Sequence, residues 1–324
     1  MHMLSRSLDI EYKVENIMDK IYDTIIIGGG PSGYTAALYA SRAGLETLII
    51  EKMSVGGQMA VTDIIDNYPG FDEGIDGFEL GMRMQKGAER FGAVTKYASV
   101  LSVDVKGKTK KVTTSSGDFF SKTVIIATGA KPRELGVEKE EEFAGRGIHY
   151  CAHCDGRFYK DKIVGVAGGG NTAVSDALYL SKLAKKVYLI HRRDTFRADK
   201  IYTDALSGKD NIEFVKNSTV DSLISGETLS GITIKSTVDN STTAITLDGL
   251  FVSIGRNPET EIFKDVLTMD AGGYIVADES TRTNIPGVFA IGDVRTKALR
   301  QVVTAVADGA VAVHYASEYL SELM

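Results

Sequence analysis

One pattern is written twice in this 324-residue chain. A short apolar strand runs into three consecutive glycines and then into a helix of small residues. In the first copy, Asp23 to Ile27 reads as a buried strand. It leads into Gly28-Gly29-Gly30-Pro31-Ser32-Gly33, then into a helix from about Tyr34 to Ala43 that stops at Gly44. Residues 45–50 form a second strand that ends on Glu51. In the second copy, Ile163 to Ala167 leads into Gly168-Gly169-Gly170-Asn171-Thr172-Ala173. There Ala173, Ala177, Leu180 and Ala184 fall on one helical face, and Val187 to Ile190 is the closing strand. A strand, a glycine turn, a helix and a strand make a βαβ unit with a dinucleotide-binding first turn. Two of them make the chain α/β, with two related Rossmann-like domains.

The chemistry of the two loops differs at one place. Gly28, Gly30 and Gly33 allow a tight turn and let the backbone approach a pyrophosphate, which the helix N-terminus stabilises. Ser32 lies within the same loop. Glu51 ends the second strand, where a carboxylate accepts hydrogen bonds from a ribose. His191 stands as far from Gly168 as Glu51 does from Gly28, and Arg192, Arg193 and Arg197 follow it. Arginines there accommodate a ribose 2′-phosphate. The first copy therefore suits an unphosphorylated ribose, as in FAD. The second, with Gly168, Gly170, Asn171, Thr172 and Ala173 in its loop, suits NADPH.

The only two cysteines, Cys151 and Cys154, form a single Cys-x-x-Cys followed by Asp155 and Gly156. Such a pair can close a small reducible disulfide ring, and an adjacent acid can protonate a departing thiolate. Asp155 is assigned that task, which predicts a buried carboxyl. A structural zinc site needs four ligands and there is no second cysteine pair, so no metal is expected. A disulfide-stapled secreted domain would carry more cysteines. One working dithiol fits a reducing compartment, the cytoplasm. The net charge of −6 gives no basic field for nucleic acid. No apolar run is long enough to span a membrane; the stretch Val302 to Val313 is interrupted by Asp308. The first twenty residues lack the apolar core of a signal peptide, and residues 1–19 are expected to be a disordered extension.

Residues 94–126 hold short alternating segments with turn signals such as Ser116-Gly117-Asp118, and read as a β-meander. Residues 212–252 repeat that character. The run Val288-Phe289-Ala290-Ile291 leads to Gly292-Asp293 and to a long helix from about Arg300.

These motifs, in this order, resemble the low-molecular-weight thioredoxin reductase family over about residues 20–324. The resemblance also rests on Gly56-Gly57-Gln58, Asn67-Tyr68-Pro69-Gly70, Ala127-Thr128-Gly129-Ala130, Gly255-x-x-Pro258 and Arg300-Gln301. It implies three-layer ββα domains, with an FAD domain over 20–131 and 260–324 and an NADPH domain inserted over 132–259. It adds Gly57, Gln58, Asn67, Thr128, Gly129, Asp293 and Gln301 to the flavin site. A helix beginning near Gln301 would point its positive end at the flavin. The resemblance also implies a homodimer and a thioredoxin-like protein disulfide as partner. Disulfide and nicotinamide would take turns at the flavin by rotation of one domain, hinged near Lys131–Pro132 and Pro258. Cys154 would face the flavin and Cys151 would attack the partner. One position departs from the pattern: His153 stands where the family commonly has Thr. A Cys-x-His-Cys pair resembles the flavoprotein reductase of bacterial alkyl hydroperoxide systems, so a peroxiredoxin-linked or glutaredoxin-like carrier is the alternative partner.

The arginine cluster generates a first prediction. Charge-assisted hydrogen bonds to a 2′-phosphate contribute about 1.5–3 kcal/mol each. Steady-state kcat/KM is therefore expected to favour NADPH over NADH by at least about tenfold. Equal efficiency with the two nucleotides would remove Arg192, Arg193 and Arg197 from the site.

Overall fold

The computed structural model describes residues 20–323 apart from 63 and 207; the extension expected over residues 1–19 lies outside them. The chain divides into two compact units. One holds the described residues up to Lys131 together with those from Pro258 onward, and the other is Pro132–Asn257.

In the first unit, β1 (Ile21–Ile27), β2 (Thr47–Glu51), β3 (Val94–Tyr97), β4 (Val100–Asp104), β5 (Lys110–Thr114) and β6 (Gly117–Ile126) form one sheet in the order β3-β2-β1-β6-β5-β4. The strand Val288–Ala290 adds to β6. The strands β3, β2, β1, the end of β6 and Val288–Ala290 run parallel. Their apolar runs are continuous because both faces are covered. Ile26, Ile49, Ile125 and Phe289 pack on one face with Tyr34, Ala36, Ala37, Ala88, Ala312 and Ala316 from three helices. Their neighbours Ile25, Ile27, Leu48, Ile50, Val124 and Ile126 point the other way, onto Val105, Val112 and Phe119. The period of two between adjacent residues thus builds a helical layer on one side and a β-layer on the other.

The segment 94–126 is more than the expected meander. Val94–Tyr97 joins the parallel sheet at the edge of β2. Only β4, β5 and the first half of β6 pair antiparallel. The second half of β6 continues as an interior parallel strand, with β1 on one side and Val288–Ala290 on the other. The reason lies in the run Val124-Ile125-Ile126, which is 0–1% exposed and fit only for a strand buried on both faces.

The second unit repeats the plan. Its parallel sheet runs in the order Ile212–Val215, Lys186–Ile190, Ile163–Ala167, Gly249–Val252, Ile148–His149. The helix Asn171–Leu180 covers one face through Ala173, Val174, Ala177 and Leu180. A three-stranded antiparallel sheet, Ser218–Ser225, Leu229–Ser236 and Thr242–Thr246, covers the other through Leu229, Ile232, Ile234 and Ile245. The segment 212–252 is therefore also divided, with its first and last strands in the parallel sheet.

The helix Pro31–Arg42 crosses the long helix Val302–Glu322 at Gly309. A Cβ at Gly309 would lie 2.5 Å from the Ser32 carbonyl oxygen and 2.9 Å from the Ala36 nitrogen. Backbone cannot yield as a side chain does, so a larger residue must part the helices. Gly309→Val is expected to lower stability by about 1–3 kcal/mol, read as a lower urea midpoint by circular dichroism. An unchanged midpoint would show that the crossing is not close-packed.

Candidate functional site

The two glycine loops are built alike, hydrogen bond for hydrogen bond. Gly28 N–H donates to the Ile50 carbonyl and Gly168 N–H to that of Ile190, each at 2.9 Å. Ala127 N–H donates to Ile27 and Ser253 N–H to Ala167, each at 2.8 Å. Gly28 has φ 111° and Gly168 φ 151°. A Cβ on either would lie 2.4 Å from a carbonyl oxygen, of Ala127 or of Ser253. Both loops therefore bend tightly over the end of the next parallel strand. Gly30 and Gly170 face open space, with nothing within 4 Å of a Cβ. They precede helices whose first turns have no side-chain cap. Unsatisfied N–H groups aimed past an unobstructed glycine fit a dinucleotide pyrophosphate.

At the first loop, Glu51 accepts from Gly29 N–H at 2.6 Å and from Met53 N–H at 2.9 Å, which fixes its carboxylate beside the turn. Gly56 N–H donates to the Gly29 carbonyl, and a Cβ on Gly57 would lie 3.3 Å from the Gly30 Cα. Thr128 and Gly129 follow the end of β6; Thr128 Oγ1 donates to the Glu259 carbonyl. Ser32 is buried, and its Oγ lies 2.6 Å from where Gly292 would carry a Cβ, so the Gly292-Asp293 turn sits against this loop. Asn67 Nδ2 donates to Gln301 Oε1 at 3.0 Å, and Gln301 caps the long helix, its N–H donating to Thr304 Oγ1. Gln58 is exposed in the short helix Gly57–Val61.

A buried ion cluster holds the Gly292-Asp293 turn in place. The Asp308 carboxylate accepts from Gly292 N–H at 2.8 Å, from Arg295 Nε and Nη2 at 2.9 and 2.8 Å, and from Lys297 Nζ at 2.9 Å. Arg295 is 2% exposed and Asp308 5%. Burial pushes the Asp308 carboxyl up, but Arg295 and Lys297 outweigh it and hold it below the usual range. The sequence signal for this cluster is the acid that interrupts the apolar stretch Val302 to Val313; its partners are not readable from sequence.

The second loop differs in what lies beside it. The His191 ring takes the place of Glu51, with Nδ1 2.2 Å from where Gly169 would carry a Cβ. It is buried and stacked on Phe196 at 5.5 Å, while Arg192, Arg193 and Arg197 are exposed. Burial, with the three arginines, holds the His191 imidazole below its usual range, so it is neutral near pH 7. Arg197 N–H donates to the Gly169 carbonyl at 2.7 Å. Asn171 clasps Asp199 twice, donating to its carboxylate and accepting from its N–H, both at 2.8 Å. The basic segment is thereby folded onto the loop. Ala173, in the place of Gly33, is fully buried against Gly168, and Thr172 is exposed.

Cys151 and Cys154 form a disulfide with Cα atoms 5.3 Å apart. Cys151 begins the one-turn helix Ala152–Asp155, and both Cys154 and Asp155 donate backbone N–H to its carbonyl. The turn packs on the helix of the second loop: a Cβ on Gly156 would lie 2.9 Å from both Leu180 and Tyr179, and His153 lies 4.3 Å from the Tyr179 ring. Asp155 departs from the buried carboxyl expected of it. Its side chain is 20% exposed and its Oδ2 lies 3.0 Å from Nδ1 of His149. Sequence reading gave His149 no part in the dithiol chemistry.

Comparison with known proteins places this arrangement. The family model for "Pyridine nucleotide-disulphide oxidoreductase" matches residues 22–309. A thioredoxin reductase of Listeria monocytogenes is 48% identical over 307 residues, 94% of this chain and 96% of that protein. One of Peptoclostridium acidaminophilum is 41% identical over 94% of this chain and 98% of that protein. Among solved structures, the thioredoxin reductase of Streptococcus pyogenes aligns with a TM-score of 0.86 at 45% identity, covering 93% of this chain and 99% of that one.

The ion cluster generates the prediction of this site. Asp308→Ala removes the carboxylate shared by Arg295 and Lys297 and leaves only Glu279, 3.7 Å from Arg295, which costs about 3–5 kcal/mol. Because the folded carboxyl titrates below its unfolded value, its contribution is complete above the ordinary carboxylate range. It is lost as pH falls through the folded value. Urea midpoints of wild type and variant should therefore differ at neutral pH and converge in acid. A gap that is constant with pH would contradict the charge assignment.

Proposed function

The chain belongs to the pyridine nucleotide-disulphide oxidoreductase family, and on that footing we propose that it is an NADPH-dependent thioredoxin-disulfide reductase. Electrons pass from NADPH through FAD to the Cys151–Cys154 dithiol, and from there to the disulfide of a thioredoxin-like protein. The observation that carries this reading is the Cys151–Cys154 disulfide packed on the helix of the second glycine loop, the loop that bears the three arginines.

We assign FAD to the first loop, held by Gly28, Gly30, Ser32, Gly33 and Glu51. Gly57, Gln58, Asn67, Thr128, Gly129, Asp293 and Gln301 complete that site. NADPH belongs to the second loop, with Gly168, Gly170, Asn171 and Thr172 at the pyrophosphate and Arg192, Arg193 and Arg197 at the 2′-phosphate. The buried side chains of Ala173 and His191 support that loop from beneath. Bound FAD supplies the relay between a hydride donor and a two-electron acceptor. The chain's own residues do the rest. Two electrons break the S–S bond, and Asp155 gives the departing sulfur its proton. The Cys151 thiolate then attacks one sulfur of the partner disulfide to form a mixed disulfide. Cys154 attacks Cys151 in turn, which releases the reduced partner and restores the ring.

A homodimer in the cytoplasm belongs to the same reading. It is supported by the exposed apolar side chains Phe78, Phe91 and Val94 of the first unit, and by a lone dithiol that needs a reducing compartment. No helix of the described residues is long and apolar enough to cross a membrane. The exposed His153 between the cysteines favours the alternative of a peroxiredoxin-linked or glutaredoxin-like carrier as partner.

Cys151→Ser and Cys154→Ser are each expected to abolish reduction of thioredoxin while leaving FAD bound and bleached near 450 nm by NADPH. Hydride reaches the flavin without the thiols; only the onward step needs them. Thioredoxin turnover by either variant would overturn the reading, and a panel of other dithiol proteins distinguishes the partner.

A further inference from the structure

His149 is a buried titratable side chain that the mechanism above does not use. It is 6% exposed and ends a two-residue strand at the edge of the second unit's sheet, paired with Leu250 and Phe251. Its ring stacks on Phe251 at 5.3 Å and meets the edge of Tyr159 at 5.1 Å. Tyr159 is itself pinned, since a Cβ on Gly249 would lie 2.2 Å from its ring. Nε2 of His149 lies 2.7 Å from Tyr159 Oη. Nδ1 lies 3.0 Å from the Asp155 carboxylate, within ion-pair distance but not aligned as a hydrogen bond, and has no other partner. A buried ring nitrogen thus faces only the carboxylate next to the dithiol.

We propose that His149 is a positioning residue that stores the proton Asp155 delivers, so that the two side chains act as one acid in the reduction of the Cys151–Cys154 disulfide. The proposal rests on the role given to Asp155 above. A lone carboxyl has lost its proton by about pH 4, whereas an imidazole keeps one to about pH 6.5. One proton held between the two groups, as carboxylate with imidazolium or as carboxyl with imidazole, is available near neutral pH and titrates as a property of the pair.

Tyr159 is not the acid. Burial pushes its phenol up to about 12, with Asp155 and Asp248 adding to the effect. Its oxygen instead accepts from Nε2–H at 2.7 Å, which keeps that nitrogen protonated and leaves the mobile proton on Nδ1, facing Asp155. Charged groups beside this cluster include Asp155 at the ring and, beyond Tyr159, the Asp248 carboxylate and Lys162, whose Nζ lies 5.3 Å from the Tyr159 ring centre. The step balances. The disulfide gains two electrons from reduced FAD, its S–S bond breaks, one sulfur remains a thiolate, and the other becomes a thiol with the proton passed through Asp155. The pair is left as carboxylate and neutral imidazole.

The test uses the FAD-loaded enzyme without a partner protein, under anaerobic conditions. NADPH is mixed in, and stopped-flow absorbance follows flavin bleaching and then its reoxidation by the internal disulfide, while a thiol reagent counts the cysteines reduced. In the wild type the second phase should slow as pH rises through the histidine range. In His149→Gln it should be slower by about tenfold or more at neutral pH and lose that pH dependence. Bleaching by NADPH should be unchanged, which shows that the variant is folded. A variant with the wild-type rate and pH profile overturns the proposal while leaving the proposed function standing. A wild type whose cysteines stay oxidised overturns both. Should His149→Gln fail to fold, ¹⁵N-histidine spectra of wild type and Asp155→Asn decide. Loss of the carboxylate should lower the pH at which His149 titrates, and an unmoved titration overturns the proposal.

Discussion

Both units depend on one close approach of backbone to backbone. At Gly28 and again at Gly168 the chain leaves a buried parallel strand and bends over the carbonyl that ends the neighbouring strand, at a distance no side chain permits. That bend starts each helix where its free N–H groups face outward, and it sets how closely the helix lies on the sheet. In the first copy the third glycine, Gly33, has no room for a Cβ, which would fall 2.0 Å from the Gly28 carbonyl oxygen. In the second copy Ala173 fills the equivalent place, fully buried against Gly168. Everything that recognises a ligand is then hung on the loop's edges: Glu51 on one, a neutral His191 beneath exposed arginines on the other.

Charge is used differently at the surface and in the core. The arginines after His191 remain in solvent, where a phosphate can reach them. Asp308, Arg295 and Lys297 are buried together, and a buried ion pair is weak evidence for stability. Their value here is positional. The carboxylate ties the Gly292 amide, and so the turn bearing Asp293, to the long helix that begins at Gln301. A hydrophobic replacement would fill the space but leave the amide without its acceptor.

Much of this is legible in the sequence. The duplicated strand–loop–helix pattern, the acid in one copy against bases in the other, and the lone Cys-x-x-Cys identify an α/β chain with two nucleotide loops and a dithiol. Segments 94–126 and 212–252 were only partly legible. Alternation and turn residues mark strands, but they do not say which sheet a strand enters. β6 runs parallel to β1 from Phe120 to Ile126, while its other edge changes partner, antiparallel to β5 at Gly117–Ser121 and parallel to Val288–Ala290 at Val124–Ile126.

The sequence by itself determined the residue types and periods that local physics reads: glycines where the backbone must bend, apolar runs where both faces are covered, and a charge reversal at the ribose end of each loop. Tertiary structure alone decided the pairings between residues of different elements. Asn67 meets Gln301, Asp199 is clasped by Asn171, and Asp308 gathers Gly292, Arg295 and Lys297. His149 is set against both Asp155 and Tyr159. Each pairing joins groups from different elements, and periodicity describes one element at a time. Which side chains meet is fixed by how helices and strands stack around a shared core, information held by the packed fold and by no single stretch of sequence.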